Sequence, residues 1–181
     1  MKLVQCPLSG PIILEPKVFG DDRGFFLESW NADSFRAAGL DMHFVQDNHS
    51  RSNRGVVRGL HYQSPEAQGK LVRVVTGRVW DVVVDLRRSS PSFGSWFGVE
   101  LSGDNKRMLW VPEGFAHGFV TLEDGTDLLY KCTAPYDPAQ EHILAWNDPK
   151  VAITWPLNGM EPILSDKDRR GLALADVQVF A

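Results

Sequence analysis

Residues 44–63 read Phe44-Val-Gln-Asp-Asn-His-Ser-Arg-Ser-Asn-Arg-Gly-Val-Val-Arg-Gly-Leu-His-Tyr-Gln63. The run reads as two strands, and polar side chains sit where a core strand would carry apolar ones. In the first, Phe44, Gln46, Asn48 and Ser50 share one face by the two-residue period of a strand. Amides turned toward an interior need hydrogen-bond partners, and a bound ligand can be that partner. The second strand brings a fixed positive charge at Arg58 and a titratable imidazole at His61. Strict alternation puts these two on opposite faces. Gly59 between them predicts a bulge or bend that re-aims one toward a shared cavity. Taken alone, a solvated arginine and a hydrogen-bonded core histidine would also account for the pair.

Working outward, two more strands are expected in residues 10–30, joined by the turn Gly20-Asp21-Asp22-Arg23-Gly24. Arg23 and Glu28 flank the apolar Phe25-Phe26-Leu27, either as charged gatekeepers of a sticky strand or as ligand groups. Asn31 to Gly39 predicts a short helix with an Asx start and a glycine stop. Residues 70–87 read as a long hairpin turning at Thr76-Gly77. Lys70 shares a face with Val72 and Val74, the place of a cavity-edge lysine or of one snorkelling from a strand end. Strands follow at 93–101, 106–111, 115–119, 128–132 and 142–146. From Ser165 the tail reads as a polar, partly helical cap. Many short strands, frequent Gly/Pro turns and little helix predict an all-β sandwich or closed barrel, as one domain over residues 1–181.

A net charge of −4 with no basic run argues against a nucleic-acid partner. No apolar stretch reaches membrane-spanning length, and the early prolines Pro7 and Pro11 break any signal-peptide core. Cys6 and Cys132 lie far apart and suit a reducing interior. A cytoplasmic location is expected.

Two partial signatures resemble the cupin jelly roll: Gly55-x5-His61 and Pro112-x-Gly114-x2-His117. The second histidine of the first motif is Gln63 here, which removes a main ligand from a centre that needs three or four. The barrel is therefore read as metal-free and without a cofactor. The ordered set Asp22-Arg23-Gly24-x-Phe26-x-Glu28, Gln46-x-Asn48-x-Ser50, Arg58-Gly59-Leu60-His61, Lys70-Leu71-Val72, Asp81-Val82-x-Val84-Asp85-Leu86-Arg87 and Gly114-Phe115-Ala116-His117-Gly118-Phe119 resembles the dTDP-4-dehydrorhamnose 3,5-epimerases. Tyr130-Lys131, Tyr136-x-Pro138, Glu141, Trp146-x-Asp148-Pro149 and Leu164-Ser165-x-Lys167-Asp168 continue it along nearly the whole chain.

The resemblance implies a cupin-type jelly-roll barrel with short flanking helices. It also implies epimerisation of a dTDP-linked 4-keto-6-deoxy sugar at C3 and C5. His61 would be the base, Asp168 its orienting carboxylate, Lys70 the stabiliser of the enolate oxygen and Tyr130 the acid from the opposite face. Arg23 and Arg58 would bind the diphosphate, Tyr136 would stack on thymine, and Glu28, Gln46, Asp47, Asn48, His117, Glu141 and Lys167 would make other substrate contacts. A single-carbon epimerase of another deoxysugar pathway keeps nearly all of these residues. A metal-dependent oxygenase is opposed by Gln63, and a sugar-nucleotide-binding module would not need His61, Tyr130, Lys70 and Asp168 together. A homodimer is expected. Its second copy would cover the flat apolar strand positions Trp80, Val82, Val84 and Leu86, and the segment near Arg23 would complete the neighbour's site.

Overall fold

The computed structural model describes residues 1–181. In chain order its elements are β1 (Lys2–Gln5), β2 (Ile12–Glu15), β3 (Val18–Asp21), β4 (Gly24–Leu27), α1 (Ala32–Ala37), β5 (Gln46–Ser52), β6 (Val57–Gln63), β7 (Lys70–Thr76), β8 (Arg78–Asp85), β9 (Trp96–Ser102), β10 (Met108–Val111), β11 (Phe115–Thr121), β12 (Thr126–Cys132) and β13 (Glu141–Ile143), then a 3₁₀ turn at Asp168–Arg170. Asn31 starts α1 as an Asx cap, its side chain accepting from the N–H groups of Asp33 and Ser34.

Two antiparallel sheets make the jelly roll. One has six strands in the order β1-β2-β10-β7-β12-β5, the other five in the order β13-β6-β11-β8-β9. Between them Val72, Val74, Leu109 and Leu128 of the first sheet pack on Val83, Leu101, Phe115 and Phe119 of the second. Burying each such side chain contributes roughly 1.5–3 kcal/mol. This apolar slab ends where β7 begins and β12 finishes. There Lys70 replaces valine on the inward face of β7, and Tyr130 follows Leu128 on β12. The polar residues of β5 and β6 line the same end, so the sandwich opens into a cleft rather than closing on itself.

Four expectations need correction. Thr76-Gly77 is not a hairpin turn, because β7 and β8 belong to different sheets. It is a corner at which the chain changes sheets, with Gly77 at φ +76° and Thr126 pressed too close to admit a Cβ. Alternation along the two arms reads the same for either geometry. The first predicted strand breaks at Pro16 into β2 and β3, which belong to different sheets. Phe44 precedes β5 and leaves its inward face to pack edge-on against Trp30 and Trp110. Finally, Trp80, Val82, Val84 and Leu86 pack in one cluster with the chain's own C-terminal segment, through Val151, Trp155, Val177 and Phe180. The polar residues of the tail masked its apolar ones.

The large apolar surface left in solvent lies elsewhere. β3 and β4 form a separate two-stranded hairpin, on which Phe25 and Phe26 are 59% and 68% exposed.

Candidate active site

Gly59 makes the bend that the sequence suggests. The register pairs His61 with His117 and Arg58 with Phe119, so β6 carries one residue more than β11 between those points. Gly59 adopts φ +126°, and a Cβ there would lie 2.6 Å from the Gly118 Cα. With the extra residue, Arg58 and His61 both reach a cleft of about 380 Å³ between the sheets. Of the predicted site residues, the cleft gathers Gln46, Asn48, Arg58, His61, Lys70, His117, Tyr130, Tyr136, Glu141, Lys167 and Asp168.

Arg23, Glu28 and Asp47 lie outside it. Arg23 sits on the β3–β4 turn with its guanidinium on Asp21. Glu28 accepts from the Asn31 amide. Asp47 alternates to the other face of β5 and pairs with Lys131 at 2.8 Å.

His61 is bonded at both ring nitrogens. Nε2 is 2.7 Å from Asp168 Oδ1 and Nδ1 is 2.9 Å from Glu141 Oε1. Asp168 also accepts from the Gly59 N–H and the Ser165 hydroxyl. Glu141 accepts from Lys167 Nζ at 2.7 and 2.6 Å and from the Tyr136 hydroxyl at 3.1 Å. Burial pushes both carboxyls up, but these donors outweigh it and hold Asp168 and Glu141 at about 2. Burial would likewise depress the imidazole. The two carboxylates outweigh that too, and His61 is raised.

The opposite wall carries fewer bonds. Lys70 is buried at the cleft wall, and its Nζ donates to the His61 carbonyl oxygen at 3.3 Å. Burial lowers its pKa, against the opposing pull of Cys132, Glu141 and Asp81. Burial raises the Tyr130 phenol, which keeps its proton near neutral pH. Across the strand from His61, His117 Nε2 lies 2.8 and 3.0 Å from the two oxygens of the buried Asp81, a carboxyl that burial pushes up.

Sequence reasoning missed the residues that hold this constellation. Gln63, read only as a lost metal ligand, is buried. Its amide donates to the carbonyl oxygens of Glu66 and Pro135 and accepts from the Asp137 N–H. Gln46 Oε1 accepts from the Tyr136 N–H, and Gln68 donates to the Ala134 carbonyl. Three glutamines therefore clamp the loop that presents Tyr136. A glutamine facing inward beside a turn was the available signal for Gln63. For Ser165 it was the spacing Ser-x-x-Asp.

Residues 5–176 match the family of dTDP-4-dehydrorhamnose 3,5-epimerase. The chain belongs to that family. It is 55% identical over 181 residues to the dTDP-4-dehydrorhamnose 3,5-epimerase of Pseudomonas aeruginosa, covering 99% of each chain. A dTDP-6-deoxy-D-glucose-3,5-epimerase from Legionella pneumophila, solved in complex with dTDP-4-keto-L-rhamnose, is 49% identical. It superposes with a TM-score of 0.94, covering 98% of this chain and 94% of that one. A dTDP-4-dehydrorhamnose 3,5-epimerase from Bacillus anthracis with TDP and PPi bound is 47% identical at a TM-score of 0.92, covering 95% and 98%. Inversion of a carbon in this family's reaction needs a base and an acid on opposite sides of a sugar ring. In this 3,5-epimerase cleft, His61 comes from one sheet and Tyr130 from the other.

Proposed function

We propose that the protein inverts C3 and C5 of dTDP-4-dehydro-6-deoxy-D-glucose to give dTDP-4-dehydro-L-rhamnose. The observation that carries this is the entry of His61 and Tyr130 into one cleft from opposing sheets. His61 removes the proton on a carbon next to the ketone, and the C–H electron pair moves onto the ketone oxygen. Lys70 stabilises the enolate so formed. Tyr130 then gives its hydroxyl proton to the carbon from the other face. His61 releases the proton it took to water, the Tyr130 oxygen regains one from water, and the same sequence follows at the second carbon. Asp168 holds the ring of His61 and stabilises its charged form. No electron is exchanged: each carbon loses a proton to one side chain of this chain and gains one from another, and solvent resets the pair.

Arg58 faces the diphosphate, its guanidinium steadied by the Ser52 hydroxyl at 3.1 Å, and Tyr136 stacks on the base. We further propose that residues 1–181 act as one domain, in the cytoplasm, as a homodimer. The exposed Phe25 and Phe26 and the distance of Arg23 from its own cleft support a hairpin that crosses to a second copy and carries Arg23 and Glu28 there. Sedimentation of a stable, active monomer would remove the dimer from this reading.

The test of the reaction is NMR of the sugar ring of the keto substrate in deuterated water. Exchange and inversion at both carbons are expected. Exchange at one carbon would reduce the activity to a single epimerisation, and no exchange would overturn it.

A further inference from the structure

A nitrogen that bears a proton and gives it to a carboxylate cannot accept a proton from carbon. Both nitrogens of His61 are engaged with carboxylates, so one of those bonds must open before the ring can act. We propose that Glu141 is a latch on the base: it caps Nδ1 of His61 in the empty cleft and is drawn off by the incoming sugar nucleotide. The base is then free only in the loaded site. This rests on the reading of His61 as the base.

The two carboxylates are held in different ways. Asp168 is buried, accepts from the Gly59 backbone N–H and the Ser165 hydroxyl, and donates its own N–H back to Ser165 Oγ, so it is held within the chain's own backbone turn. Glu141 stands on the three-residue edge strand β13. Its other donors are Lys167 and Tyr136, on side chains that reach solvent: the Lys167 side chain is 47% exposed, and so is Tyr136. A diphosphate-linked sugar brings negative charge and acceptor oxygens to these donors. It competes for the Lys167 ammonium, repels the Glu141 carboxylate, and engages the same Tyr136 whose hydroxyl steadies the latch.

The remaining charged groups near His61 do not substitute for Glu141. Lys70 meets the backbone carbonyl of His61 and not its ring. His117, across the strand, is committed to Asp81. Arg58 is bonded to Ser52. When Glu141 leaves, the Nδ1 proton passes to water. Nδ1 then accepts the proton from carbon while Nε2 stays on Asp168.

The test uses the intact enzyme and Glu141→Gln, which keeps size and hydrogen bonding but removes the charge. The profile of kcat/KM reports the free enzyme and that of kcat the loaded one. In the wild type the acid limb of kcat/KM should lie above that of kcat. In Glu141→Gln the kcat/KM limb should move to lower pH by about one unit, the effect of losing one close opposite charge. A carboxylate that only contacts substrate would raise KM equally at every pH, and an unmoved limb overturns the latch. Nitrogen-15 NMR of the empty enzyme, with His61 assigned through His61→Asn, is the second reading. The imidazole should titrate at lower pH in Glu141→Gln, and an identical midpoint overturns the proposal. If the wild type fails to exchange ring protons at all, the base assignment falls. If exchange is normal and neither quantity moves, only the latch falls.

Discussion

The five-stranded wall of the cleft pairs its charges closely, whereas the six-stranded wall leaves its donors nearly bare. On the first, His61 touches two carboxylates and His117 a third. On the second, Lys70 makes one long bond and Tyr130 is shifted chiefly by burial. A proton acceptor needs partners that set its orientation and stabilise its charge once formed. A donor and an oxyanion stabiliser need their hydrogens unspent until the ligand arrives. The contrast fits the roles proposed above, with His61 as acceptor and Lys70 and Tyr130 as donors.

Removing the base should do most. His61→Ala should abolish exchange at both carbons, a loss of roughly 10²–10⁴-fold or more for a general base, while calorimetry still shows dTDP binding. Exchange at the wild-type rate would move the base to another residue. On the opposite wall, Tyr130→Phe removes only a hydroxyl. It should still exchange ring protons with solvent through His61 yet yield much less inverted sugar. A purely structural aromatic would leave product yield unchanged, and one NMR sample reads both quantities.

Asp168→Asn should have an intermediate effect, because the imidazole survives but loses its fixed charge. Its kcat should fall less than in His61→Ala, with nucleotide binding retained. Gln63→Leu sharpens the contrast from outside the chemistry. It removes the partner of the Pro135 carbonyl and the Asp137 N–H, part-buried hydrogen bonds that contribute about 0.5–1.5 kcal/mol each. It should lower Tm and raise KM more than it lowers kcat. An unchanged KM would detach the glutamine clamp from nucleotide binding.

The smallest expected effect is on acid stability. Asp168 and Glu141 are held at about 2 in the folded chain, below their unfolded values of roughly 4. Their contribution is present above those unfolded values and is lost as pH falls toward about 2. His61 has the opposite sign. Its raised pKa stabilises the fold below ~6.5 and the gain is lost as pH rises through the folded value. A Glu141→Gln, Asp168→Asn double variant should therefore show a flatter denaturation midpoint between pH 2 and 4, pH values read from those two carboxyls. An equally steep curve would mean that other carboxylates carry the acid transition.

Much of this was legible in residues 44–63. The inward set Gln46, Asn48 and Ser50 follows from alternation, and Gly59 announced the bulge because no other residue fits its backbone there. The sheet-changing corner at Gly77 was not legible, since β7 and β8 alternate as a hairpin would. The cover on Val82, Val84 and Leu86 was hidden for a related reason. Val177 and Phe180 lie in a tail without strand or helix periodicity to mark an apolar face.

By itself the sequence determined which residue types face inward and which chemistry they carry, because strand periodicity and glycine geometry act over a few neighbouring residues. Only the tertiary structure decided that His61 and Tyr130 confront each other across a cleft, and that Glu141 and Asp168 meet on one imidazole. Those placements depend on register between strands and on how the two sheets close. Contacts between residues far apart in the chain set both, and no local pattern records them.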